Sequence, residues 1–483
     1  MKNILDLQPN KVYYFFNEIT KIPHGSGNTA QIAQYCLDFA KQRNLEAKLD
    51  KGGNVVIYKN GSKGHENSES VILQGHLDMV CEKDSNIEFD FEKDSLNVST
   101  DGEFVWANGT TLGADNGIAL AYVLAILDSD DIVHPPIEAL FTADEETGMF
   151  GAAALDATLL KSKRLINIDS EEEGVLTVSC AGGVNATCYL PLNYAKTSEN
   201  HCFYELSISS LTGGHSGIEI NKNRKNAIKE LGRMLDYISS EVNINICSIV
   251  GGNKINAIPR SCSAKICISR EQDDKFIALF NQFAELFEKE CAIAEPNIKI
   301  KCKNISHTDI SFDAETSKKA IFMLSHIYNG IEVMNPEIPN MVETSLNLGI
   351  ISQENDTLVL SYLVRSNSLT GKDFLTKKLQ SFMKYIGGEV KLDVDYSAWE
   401  FKPVSKLRDI FVSTFKYMYN KEPEIASIHA GLECGMFSGI LKDTDMISFG
   451  PNLYKVHTTE EKMDVASVER TWNYLLKILE NLK

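Results

Sequence analysis

The 483-residue sequence predicts an α/β fold: a mixed, mainly parallel sheet with helices on both faces, interrupted by an inserted α+β domain of ferredoxin-like βαββαβ character. Three observations carry this. Short apolar runs alternate with helical periodicities through the first part of the chain. Beyond about residue 190 paired strands are separated by single helices. After Trp399 the first texture resumes. Strands separated by helices imply a parallel sheet covered on both sides. The simplest organisation is a discontinuous domain of residues 1–187 and 396–483 around an insert of residues 188–395.

Taken in order, helical periodicity covers residues 29–42, and strands are expected at 54–58 and 70–75. The apolar run GIALAYVLAIL predicts a helix beginning near Asn116, followed by strands at 137–142 and 164–169. In the insert, FYELSIS, NRKNAIKELGRMLDYI, NINICSIV, SAKICIS, FIALFNQFAELFEKE and NIKIKC read as strand, helix, strand, strand, helix, strand. A partly similar succession runs to about residue 395, so the insert is expected to hold two related halves. The closing segment predicts a helix at 405–419, a strand at 425–429, a short helix from Glu433, a strand at 446–450 and a final helix from about Asp464.

Composition narrows the function classes. Lys and Arg total 48 against 66 Asp and Glu, a formal charge of −18, with no basic stripe to neutralise phosphates. That argues against nucleic acid and against an anionic membrane surface. No apolar run reaches the ~18 to 20 residues of a spanning helix, and the N-terminus has no secretory pattern. Eleven singly scattered cysteines read as reduced thiols, and the expected location is cytoplasmic.

The polar residues at strand ends carry the chemistry. LQGHLDMV ends a strand with His76 and Asp78, which share one side of an extended chain. GTTLGADNGIAL places Asp115 in a Gly-flanked turn before a helix, where an Asp is commonly a helix cap. IEALFTADEETGMFG ends a strand with Asp144, Glu145 and Glu146. RLINIDSEEEG ends one at Asp169, and SFGPNLYKVHTTEEKMD puts His457 in a late loop. Each signal is modest alone. Together His76, Asp115, Glu146, Asp169 and His457 supply two imidazoles and three carboxylates, about what two zinc ions need if one carboxylate bridges them. Glu145 is left over beside a ligand, as metal-assisted hydrolysis requires of a base. An EF-hand is excluded, because its D-x-D-x-D-G loop is missing.

These stretches resemble the dinuclear-zinc metallopeptidase family of aminoacylases, peptidase T and carnosine-cleaving dipeptidases. The pieces that match are GHLDMV, GADNGIA, TADEETGMFGA, NIDSEEEG, the late loop His and GGHSG at 213–217. LQGHLDMVCEK, GTTLGADNGIA, GGHSGIEI, GGNKINAIPR and HAGLECG are similar to a branch that cleaves Xaa-His dipeptides. The resemblance implies a zinc-peptidase-like fold with the insert as a lid. It implies one zinc on His76 and Asp169, a second on Glu146 and His457, and Asp115 between them. Manganese or cobalt suits the same donors. Glu145 would be the general base, Asp78 the carboxylate that holds His76, and His215 the lid residue that stabilises the oxyanion, acting within its own chain or across a homodimer. Relatives carry a cis peptide after the bridging Asp, here Asp115–Asn116. Asn256 and Arg365 would grip the substrate carboxylate. His429 and Glu433 would line the pocket, with Glu433 alternatively capping the short helix, and Cys434 reads as packing.

The implied activity is hydrolysis of dipeptides with a free N-terminus, Xaa-His and β-Ala-His among them, by a water that two zinc ions activate. A tripeptide aminopeptidase or an N-acyl-amino-acid hydrolase has the same ligands. A catalytically inactive binding or regulatory relative is the alternative of a different class.

Overall fold

The computed structural model describes residues 3–336, 338 and 340–482. The chain forms two compact units. The first runs to Cys180 and adds Phe401–Ser427 and the residues from Leu432 on; the second is Ala181–Glu400 with Ile428–Gly431. Among the described residues no helix is long and apolar enough to cross a membrane.

The first unit is built on an eight-stranded mixed sheet. Its spatial order is Glu46–Leu49, Val55–Lys59, Ile137–Thr142, Val71–His76, Arg164–Asn167, Asp445–Ser448, Val175–Cys180, Glu424–Ile428. The four central strands, from Ile137–Thr142 to Asp445–Ser448, are mutually parallel, while Val55–Lys59 and Val175–Cys180 flank them antiparallel. The central strands are apolar throughout because both faces are covered. Val71, Ile72 and Leu73 are completely buried, each contributing roughly 1.5–3 kcal/mol of transfer free energy. Helix Ala114–Leu127 packs in the same core. It is apolar all round, as a fully buried helix must be.

Register decides where the chemistry falls. His76 pairs with Thr142 and Gln74 with Asn167. The parallel strands therefore end side by side, and the loops carrying Asp78, Glu145, Glu146 and Asp169 leave from one edge. In an α/β sheet this carboxyl edge is where sites form.

The second unit holds a nine-stranded antiparallel sheet. Strands His201–Ser209, Asn245–Gly251, Cys262–Ser269 and Lys299–Asn304, with helices Ala227–Ser239 and Asp273–Cys291, follow in βαββαβ order. In space the fourth strand is at the edge, then the first, third and second. Beyond them the order reverses through Val342–Glu354, Thr357–Ser366, Gly182–Pro191 and Glu389–Tyr396. With helices Ala314–His326 and Leu369–Ile386 these four make a second βαββαβ set. Its first strand, Gly182–Pro191, precedes the whole first set in sequence, so one half is spliced into the other after a single strand. Residue 188, the expected start of the insert, lies inside that strand. The halves meet at Gly251 and Ile351.

Candidate active site

His76 is the last residue of its strand and is 1% exposed. Its Nδ1 lies 2.9 Å from the main-chain oxygen of Asp78, which directs Nε2 outward. Nε2 is 3.1 Å from Oδ1 of Asp115 and 3.4 Å from Oδ1 of Asp169. On the other side of Asp115, Oδ2 is 3.2 Å from Nε2 of His457, and Glu146 Oε2 is 3.0 Å from the same nitrogen. The two oxygens of one carboxylate thus address two different imidazoles, and each imidazole has one further carboxylate of its own. All five residues expected as ligands come together.

This donor set fits two ions of a borderline metal: one imidazole and one terminal carboxylate apiece, with a carboxylate between. His76, Asp115 and Glu146 also bring three ligand atoms within 4.8 Å of one another. Hydrogen bonds from Asp115 and Glu146 raise His457 to about 11. Burial opposes protonation of His76, but Asp169, Asp115 and Asp78 hold it well above its usual range. Each imidazole is held for a cation, a proton or a metal.

Glu145 precedes Glu146 in a turn entered through Asp144 at φ 53°. Burial, followed by the carboxylates of Asp169, Glu433 and Glu146, pushes Glu145 well above the ordinary carboxylate range against the pull of His76. Asp78 reaches the turn as well as the histidine. Its Oδ1 is 3.5 Å from His76 Nδ1, further than its own main-chain oxygen. The carboxylate accepts from Ser26 Oγ at 2.7 Å and from the main-chain N–H of Glu145 and Glu146 at 2.9 and 3.2 Å.

Three supports were not legible in the sequence. Asn116, joined to Asp115 by a cis peptide, accepts the N–H of His76 at 3.1 Å and donates to Ile168 O at 2.7 Å. Glu461 binds the main chain ahead of Asp115. Glu433, completely buried, accepts from Gln74 at 2.5 Å and Thr142 at 2.8 Å, and Gln74 in turn accepts from Asn167 at 2.5 Å. Burial raises Glu433 to about 8. It therefore stiffens the strand beneath His76 instead of facing a ligand, and it does not cap its helix, whose first residue it is. Its neighbour Cys434 is fully buried, and burial holds the thiol well above its usual range, the condition of an inert packing residue.

The remaining expected residues lie in the second unit and gather there. Gly217, in GGHSG, packs so closely that an added Cβ would meet His429 O at 2.2 Å, His215 Cε1 at 3.0 Å and Arg365 Nε at 3.2 Å. His215 Nδ1 accepts from the N–H of Gly217 and Ile218 at 3.2 Å, which leaves Nε2 as its donor. His429 sits between Ser345 Oγ at 2.7 Å and Asn367 Oδ1 at 3.1 Å, and burial lowers it to about 3, so it is neutral. Arg365 is 5% exposed, and its Nε has no hydrogen-bond partner. Asn256 is exposed at the surface and holds Ser216 through its main-chain oxygen at 3.0 Å.

Comparison with known proteins agrees with this chemistry. The model of "Peptidase family M20/M25/M40" matches residues 72–481. The chain belongs to this peptidase family. It is 35% identical over 482 residues, covering 100% of this chain and 99% of the relative, to the cytosol non-specific dipeptidase of Escherichia coli K12. Among solved structures, the aminoacylhistidine dipeptidase of Vibrio alginolyticus superimposes with a TM-score of 0.94 at 35% identity, covering 100% of this chain and 98% of the other. An aminopeptidase of Bacillus cereus shares the fold, with a TM-score of 0.57 at 14% identity and 99% coverage of both chains. The mixed α/β fold of this M20 peptidase is that of its relatives.

Proposed function

We propose that this M20 peptidase is a dinuclear metal-dependent dipeptidase that cleaves short peptides with a free N-terminus, Xaa-His and β-Ala-His among them. The observation that carries the reading is Asp115, whose two oxygens face the Nε2 atoms of His76 and His457 at 3.1 and 3.2 Å. The names of its full-length relatives, a non-specific dipeptidase and an aminoacylhistidine dipeptidase, support the substrate class.

Two zinc ions per chain are proposed, one held by His76 and Asp169, the other by Glu146 and His457, with Asp115 shared. Manganese or cobalt suits the same donors. Bound there, the ions supply Lewis acidity, which lowers the pKa of a water and draws charge from the scissile carbonyl.

Glu145 takes the proton of the attacking water and returns it to the departing amine, a task its raised affinity for a proton suits. Asp78 keeps that base in register by holding its main-chain N–H. His215 donates from Nε2 to the oxyanion. Arg365 and Asn256 take the substrate carboxylate, and neutral His429 orients the segment beside Gly217. His215 serves its own chain or, in a homodimer formed through the second unit, the other. A cytoplasmic location accords with eleven free thiols.

The test is a dipeptide panel, including β-Ala-His and N-acetylated controls, assayed before and after chelation. The reading expects free-amine dipeptides to be cleaved, activity to vanish on chelation, and zinc to restore it. Hydrolysis that survives removal of the metal would overturn it. Preference for tripeptides or N-acyl amino acids would replace only the substrate class.

A further inference from the structure

We propose that Glu461 is a positioning residue that sets the bridging carboxylate of Asp115 and locks it to the loop of His457; this rests on the metal reading above. Glu461 sits four residues after His457 and is 2% exposed. Its two oxygens take four consecutive main-chain N–H groups. Oε2 accepts from Leu112 at 2.7 Å and Gly113 at 3.2 Å; Oε1 accepts from Ala114 at 2.9 Å and Asp115 at 3.4 Å.

Local sequence cannot provide this anchor. Helix Ala114–Leu127 begins after Gly113, which has φ 67° and no side chain to cap the first turn. The opening N–H groups of a helix need acceptors from elsewhere, and the left-handed glycine turns successive N–H groups toward one point, a concavity suited to an anion. The anion is Glu461, more than three hundred residues away in sequence. It joins the two segments that carry the shared carboxylate and one imidazole, so their spacing is fixed before any ion arrives. That is the work of an outer partner of a metal ligand.

The adjacent Glu460 makes the contrast. Its side chain is 70% exposed and pairs with Lys455 at 2.8 Å. Two neighbouring glutamates with the same intrinsic chemistry thus have different duties.

In Glu461→Gln one oxygen becomes an amide donor pointed at N–H groups, so the cradle loosens while size is kept. The experiment is a zinc titration of the full-length apo protein against a chromophoric chelator, comparing wild type with Glu461→Gln, Glu461→Asp and Glu460→Gln. Apo melting temperature and far-UV circular dichroism are recorded for each. The proposal expects zinc affinity to fall about 10- to 100-fold in Glu461→Gln, less in Glu461→Asp, and not at all in Glu460→Gln. It expects turnover of Glu461→Gln to recover as zinc is raised, which a merely structural lesion would not show. If Glu461→Gln does not fold, Glu461→Asp carries the test. Zinc affinity within twofold of wild type in a folded Glu461 variant overturns the proposal. A wild-type protein that takes up no zinc would instead strike the metal reading itself.

Discussion

Oδ1 of Asp78 accepts the main-chain N–H of Glu145 at 2.9 Å. The strand end that presents the first imidazole therefore also fixes the turn that presents the base. Replacing Asp78 with Asn keeps the volume but turns an acceptor into a donor facing N–H groups. Turnover is expected to fall about 10- to 100-fold with a weaker loss of zinc. Steady-state kinetics on a dipeptide beside metal analysis checks this, and unchanged turnover would mean that the contact is idle.

Asp115 and Asp169 should differ in what their loss does to stoichiometry. Asp115 faces both imidazoles, whereas Asp169 faces only His76. Asp115→Ala is expected to abolish high-affinity binding of both ions, Asp169→Ala to weaken one and spare the other. Equilibrium dialysis with elemental analysis counts the ions retained.

Proton release should accompany metal binding. His457 is raised from 6.5 to about 11 by Asp115 and Glu146, so in the apo protein at neutral pH it holds a proton that a metal must displace. Calorimetry in buffers of different ionisation enthalpy should show protons liberated and affinity rising with pH. The same group has a consequence for apo stability. The folded state keeps its proton at pH values where the unfolded chain has lost it, so the contribution is complete below about pH 6.5 and fades as pH rises toward 11. Denaturant melts of the apo protein across that window test the direction.

Gly75 is a packing requirement next to the site. A Cβ there would lie 2.5 Å from Asn116 Oδ1 and 2.7 Å from the methyl of Ala119. Gly75→Ala should push Asn116 off the N–H of His76 and destabilise the protein by about 1–3 kcal/mol. A urea melt measures it, and wild-type stability would show that the helix yields without cost.

The five ligands were legible because each stands at the end of an apolar strand or in a loop beside one, where a charged side chain needs a reason. The parallel sheet was legible for a related reason, since strands buried on both faces read as unbroken apolar runs such as Val71–Leu73. What local pattern cannot supply is partnership. Glu461 is one of two adjacent glutamates in TTEEKMD, and nothing in that stretch tells the buried one from the exposed one. Asn116 follows a conspicuous aspartate and looks like its helix-start neighbour; its link to His76 exists only in three dimensions. Gly182–Pro191 reads as a strand, yet its partners Thr357–Ser366 and Glu389–Tyr396 lie beyond an entire spliced-in half. Glu433 invited assignment to the pocket because HAGLECG has the composition of a binding loop, but full burial on Gln74 and Thr142 gives it a supporting duty.

The central claim, that Glu145 moves the proton in a metal-dependent hydrolysis, is tested most directly by Glu145→Gln. The variant keeps size and leaves all five metal-facing residues in place. Zinc content measured alongside dipeptide turnover should show wild-type stoichiometry with turnover reduced about 10²- to 10⁴-fold. Turnover within a few-fold of wild type at full zinc occupancy would contradict the account.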